Sequence, residues 1–124
     1  FEDAYNLFKE QIIAGEKAGA DLVLIETMGD LYEIKSAVLA AKENTVLPIF
    51  VSMIFDKKGT LLTGADIKTA VVTLEALGVD GIGLNCGLGP AQMQKLLPQL
   101  LKFTSLPIVL NPNAGLPVER EGKT

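Results

Sequence analysis

A chain of 124 residues, 48% hydrophobic and 21% charged, has room for one packed domain at most. Its formal charge of −4 offers no basic surface to displace counterions from phosphates, which argues against nucleic acid, and no apolar run approaches the ~20 residues that span a membrane. The absence of histidine removes His general bases, His nucleophile partners and His metal ligands together, while a single cysteine leaves no internal disulfide and fits a reducing, cytoplasmic setting.

Ala4, Phe8, Ile12 and Ile13 recur at helical spacing, predicting an amphipathic helix over about 2–18 that Gly19 ends. The short, continuously apolar run 22–25 suits a parallel strand buried on both faces. Asp30 is placed to cap a second helix reaching 43, and Pro48 introduces a second apolar run, 49–51. Residues 54–64 are irregular, with a turn at 56–59. A helix over about 65–77, a strand at 80–84, a helix over 90–102 and a strand at 107–110 follow, and Pro98 is expected to kink or shorten its helix. Residues 111–124 read as a terminal loop, its polar end at 119–124 mobile.

Alternating helices and strands make a parallel sheet with right-handed crossovers. Residues 18–27 resemble 77–86, and 47–52 resemble 106–111, both 59 positions apart. Two βα units that recur as a block favour a partial (βα)8 TIM barrel over a doubly wound sheet, which is also built from such units. Four strands cannot close that barrel, so the chain reads as a fragment of a single barrel domain, with Phe1 interior to a longer protein. Its edge strands, and interior positions such as Leu24 and Val51, would lie open to water, and the fragment is expected to self-associate.

Active sites of parallel α/β folds gather at the carboxyl ends of the strands. The polar residues there are Glu26, Thr27, Ser52, Asn85, Cys86, Asn111 and Asn113, and the repeat sets Glu26 against Asn85, Thr27 against Cys86 and Ser52 against Asn111. Polar residues also end strands simply because loops begin there, but all four strands do it. Cys86 lies in a glycine-rich stretch before a helix, where a thiol is more acidic than usual; an inert buried thiol is the plainer alternative. Phosphate cradling by the glycines is a minor option, because the dinucleotide fingerprint fails at Cys86 and no Walker lysine is present. Gly81 and Gly83 are better explained by close packing of neighbouring strands. The plainer alternatives are a solvated carboxylate for Glu26 and a turn residue for Asn113.

The segments Ile25-Glu-Thr27, Gly83-Leu-Asn-Cys-Gly-Leu-Gly-Pro90 and Asn111-Pro-Asn-Ala-Gly-Leu-Pro117 resemble the homocysteine S-methyltransferase family, in the version found in cobalamin-dependent methionine synthases. The resemblance implies a TIM barrel of which this chain is strands four to seven. It implies a zinc held by three cysteine thiolates, of which Cys86 matches the first and an adjacent pair has no counterpart here. It also implies that Glu26 holds the amino group of homocysteine, that Asn113 lies at the metal and substrate position, and that Ser52 and Asn85 line the pocket wall. Zinc makes the homocysteine thiol a thiolate at neutral pH, and the methyl group comes from methyltetrahydrofolate by way of cobalamin on other modules of the parent enzyme. Betaine or S-methylmethionine as donor, and an inactive structural half-barrel, are the alternatives. With one of its thiolates, the fragment alone is expected neither to hold zinc tightly nor to act on homocysteine.

Overall fold

The structure, a computed structural model, describes residues 1–115. Its order is α1 (Glu2–Lys17), β1 (Val23–Met28), α2 (Leu31–Asn44), β2 (Ile49–Met53), α3 (Ile67–Ala76), β3 (Gly81–Asn85), α4 (Pro90–Leu101) and β4 (Ile108–Asn111). The strands form one sheet in the order β1-β2-β3-β4, every neighbouring pair parallel. This is the alternating α/β arrangement expected. The loop expected from 111 begins one residue later, because Asn111 still pairs with Asn85; the mobile end expected at 119–124 lies outside the described residues.

Caps explain the helix starts. Asp30 accepts from the backbone N–H of Glu33 (2.7 Å) and Asp66 from that of Thr69 (2.7 Å), each satisfying a donor that the first helical turn leaves free. The helix of α4 continues through Pro98 to Leu101 instead of stopping there. Among the described residues no helix is long and apolar enough to cross a membrane.

The helices cover one face of the sheet. Ile25, Val51 and Ile82 stand in register on that face and are buried beneath Ile34, Val38, Val71, Leu74 and Leu100. Val51, expected to open to water, is therefore a core residue, 1% exposed: strand alternation sends it under the helices and leaves Leu24, 46% exposed, on the uncovered face. Phe50 and Gly81 stand in register with Leu24. A Cβ at Gly81 would sit 2.9 Å from the Phe50 ring, and one at Gly83 would collide with the Val109 carbonyl oxygen, so both glycines serve close packing.

The 59-residue repeat is bonded as well as spelled alike. Gly19 and Gly78 both take left-handed φ angles (91° and 75°) just beyond their helices. The following amides, Ala20 and Val79, reach back to the carbonyls of Gly15 and Leu74, as in a Schellman ending. Thr45 donates its hydroxyl to Glu16 of α1, and Thr104 donates to Glu75 of α3. Each threonine oxygen also accepts from the amide two residues on, Leu47 or Leu106, at 3.1 Å. Each helix is thus latched to the loop that leads into the strand after next.

Candidate functional site at the carboxyl rim

The carboxyl ends of the strands carry Glu26 and Thr27, Ser52, Asn85 and Cys86, and Asn111, with Asn113 two residues beyond β4. The register of β1 on β2 slips here. Ile25 pairs with Val51 and Met28 with Met53, so Glu26 and Thr27 together stand opposite the single residue Ser52. Such a bulge frees two successive residues from strict alternation and re-aims their side chains. Both are exposed.

Among the described residues, two other than glycine have left-handed backbones, Thr27 (φ 64°) and Cys86 (φ 56°), and they are equivalent in the repeat. That conformation costs on the order of 1–3 kcal/mol and persists only where the surroundings enforce it. Here the enforcing group is Asn85, 2% exposed. Its Oδ1 accepts from the Ser52 hydroxyl (2.6 Å) and from the Thr27 backbone N–H (3.1 Å). Its Nδ2 donates to Thr27 Oγ1 (2.6 Å) and to Cys86 Sγ (3.3 Å). Because the Thr27 amide can only donate, the atom facing it must be the oxygen, which fixes the orientation of the Asn85 amide.

The segment after Asn85 is tied down on both sides. Cys86 N–H donates to the Asn111 carbonyl (3.1 Å), and Asn113 N–H donates to the Leu88 carbonyl (3.0 Å). The two loops that carry Cys86 and Asn113 therefore form one unit. Cys86 is half-buried, and Gly89, three residues later, is the N-cap of α4. The thiol thus stands short of the helix N-terminus that the sequence placed it against. Among the described residues no group of three His, Cys, Asp or Glu comes together, so Cys86 has no companions from which to make a metal site on its own.

The rim borders two recesses. A groove of about 430 Å³ runs between α1 and the free edge of β1 and is lined by Glu26, Leu24 and Phe8. A cleft of about 710 Å³ lies between the bulge, the loop after β2 and the loop after β3; Thr27, Lys57, Leu62 and Leu88 line it. The β2 loop is rigidly built. Asp56 accepts from the N–H groups of Lys58 (2.8 Å) and Thr60 (2.9 Å), and Thr60 pairs with Asp66. The Thr60 and Lys58 amides hold the Asp56 carboxyl below the usual carboxylate range, and the Thr69 backbone N–H does the same for Asp66.

The structure therefore links Ser52, Asn85 and Cys86 directly and sets Asn113 against the Cys86 loop. Glu26 stands at the same end of the sheet, in a bulge, without a hydrogen bond to the others among the described residues. Thr27 was named in the sequence as a polar strand end and as the match of Cys86 in the repeat but was given no role; its bonds to Asn85 place it in the same cluster.

All 124 residues match the family model described as homocysteine S-methyltransferase. The chain is 42% identical over 121 residues to a methionine synthase of Mycobacterium leprae and 40% identical over 121 residues to one of Mycobacterium tuberculosis. Each alignment takes in 94% of this chain and 10% of the relative, so the chain spans about a tenth of the length of these relatives. A crystal structure of a homocysteine methyltransferase from Escherichia coli, in its apo form, superposes with a TM-score of 0.79 at 26% identity. That superposition covers 90% of this chain and 44% of the other.

Proposed function

The chain belongs to the homocysteine S-methyltransferase family, and from that premise we propose that it is the central stretch of a barrel that binds homocysteine and takes part in methyl transfer to form methionine. The observation that carries the reading is the match of the family model over residues 1–124, joined to a carboxyl rim on which Glu26, Cys86 and Asn113 all stand. In this reading Glu26 holds the ammonium group of homocysteine, Asn113 borders the metal and substrate, and Ser52 and Asn85 form the wall behind them. Cys86 supplies one zinc ligand. A zinc site takes three or four protein ligands, so the others come from outside this chain, and these residues alone do not fit the metal. When bound, zinc supplies thiol acidity. Similarity to methionine synthases favours cobalamin and methyltetrahydrofolate, on other modules, over betaine or S-methylmethionine as methyl source. A rim thiol also suits the cytoplasm, where thiols stay reduced.

Homocysteine binding and zinc content, measured side by side on this chain and on the full-length protein that contains it, test the proposal. Full-length protein that holds zinc and binds homocysteine supports it. Full-length protein that does neither would leave the ligand-free structural reading in its place.

A further inference from the structure

We propose that two copies of this chain close into one eight-stranded ring. The β4 edge of each seats against the β1 edge and α1 of the other, and the Asp21 carboxylate sets the register of each junction. The inference concerns the chain by itself and goes beyond the proposed function, so its test leaves that reading standing.

The repeat extends to the pairing of the strands. Val23 stands opposite Ile49 and Ile82 opposite Ile108, so both members of the second pair lie 59 positions beyond those of the first. The seam between the two repeated units, β2 on β3, lies within the chain. There Ile49 and Asp80 clasp each other: the Asp80 N–H donates to the Ile49 carbonyl (2.8 Å), and the Ile49 N–H donates to the Asp80 carboxylate (2.9 Å). Their counterparts are Ile108, which opens β4, and Asp21, exposed just before β1. Those are the two strands that pair on one side only among the described residues. The Pro107 carbonyl accepts from Ile82 on β3, so the next residue, Ile108, directs its N–H to the open side. A β4 edge brought to a β1 edge therefore finds in Asp21 the acceptor that Ile49 finds in Asp80.

The groove of about 430 Å³ beside β1 has the matching shape. Phe8, Gln11, Ile12 and Gly15 line it; 59 positions on stand Ile67, Ala70, Val71 and Leu74, the buried residues of α3. Val51, 1% exposed, shares the core with those four, whereas its counterpart Leu110 is 38% exposed. The groove on α1 is thus the place for Leu110 of a second copy. Two such junctions, related by a two-fold axis, occupy both edges of both chains. They bring together eight strands, the number that closes a parallel α/β barrel.

Sedimentation equilibrium of the chain should give a dimer that does not grow with concentration. Asp21→Ala should raise its dissociation constant about 100-fold, because a bond to a charged group, worth about 10-fold, is lost at each of two junctions. Cysteine pairs in a Cys86→Ser background read the register. The β2–β3 seam pairs Phe50 with Gly81, so Val109 should stand opposite Leu22 of the other copy. Within one chain those positions lie three strands apart, about 14 Å, too far for a disulfide. Leu22→Cys with Val109→Cys should therefore link the copies under mild oxidation. Leu22→Cys with Leu110→Cys should not, since successive residues of a strand face opposite sides. A monomer, or a species that lengthens with concentration, overturns the ring. Equal crosslinking of the two cysteine pairs, or crosslinking of Leu22→Cys alone, overturns the register. An Asp21→Ala dimer as tight as the unchanged one overturns the part given to Asp21.

Discussion

Asn85 spends all four hydrogen-bonding positions of its amide on Ser52, Thr27 and Cys86. It is therefore a brace more than a contact. Asn85→Ala would leave the buried Ser52 hydroxyl and the part-buried Thr27 amide with no partner and remove the bonds that hold two costly backbone conformations in place, so it should lower stability by about 2–4 kcal/mol. Urea unfolding read by circular dichroism checks this; a change below about 0.5 kcal/mol, the range of ordinary surface substitutions, would rule the brace out. Cys86 makes the opposite forecast. Cys86→Ser loses only a long contact from Nδ2, so the fold should stand, whereas the full-length protein should lose its zinc on dialysis against a mild chelator. Retention of zinc and activity without Cys86 would remove it from the metal site. Both residues were legible as polar strand ends, and Cys86 as the lone thiol. The work that Asn85 does was not legible, because it depends on a side chain from β1 arriving across the sheet, and no spacing within one strand reports that.

At the scale of elements, helix positions were readable because caps and periodicity are local: Asp30 accepts from Glu33 N–H as its place before an apolar-periodic stretch foretells. The strand ends were harder. β1 runs three residues past the expected 25, because its last residues include a bulge whose cause is the slip of register against β2. The loop after β2 carries two carboxyls whose bonds tie its stability to pH. Asp56 is held below the usual carboxylate range by the Thr60 and Lys58 amides, and Asp66 by that of Thr69. A carboxyl whose folded pKa is depressed contributes stability that is complete above its unfolded pKa and is lost as pH falls through the folded one. Unfolding midpoints should therefore decline on the acid side of the carboxylate range. Asp56→Asn and Asp66→Asn should flatten that decline between neutral pH and about pH 3. Variants that keep the full slope would assign it to other carboxylates.

At the scale of the whole molecule, β1 and β4 each pair on one side only among the described residues, and Leu22 and Leu24 stand 45% and 46% exposed beside the β1 edge. Unpaired edges next to apolar surface invite pairing with another chain. In isolation this chain should therefore associate, and sedimentation velocity should detect dimers or larger species that Leu24→Lys diminishes. A well-folded monomer at high concentration would defeat the expectation. The parallel order was legible in the alternation of elements, and Leu24 in its pattern; Val51 was misplaced because a continuously apolar strand does not say which face the helices cover. The twin latches of Thr45 on Glu16 and Thr104 on Glu75 have a consequence for ancestry. Each latch closes within a single 59-residue period, so a gene that gains or loses one whole period carries a complete latch with every copy. A gene that gains half a period strands a threonine without its glutamate. Inheritance by such steps would let a chain of this kind grow two strands at a time without relearning how to hold its helices, and libraries of tandem duplications should return folded products at that length and few between.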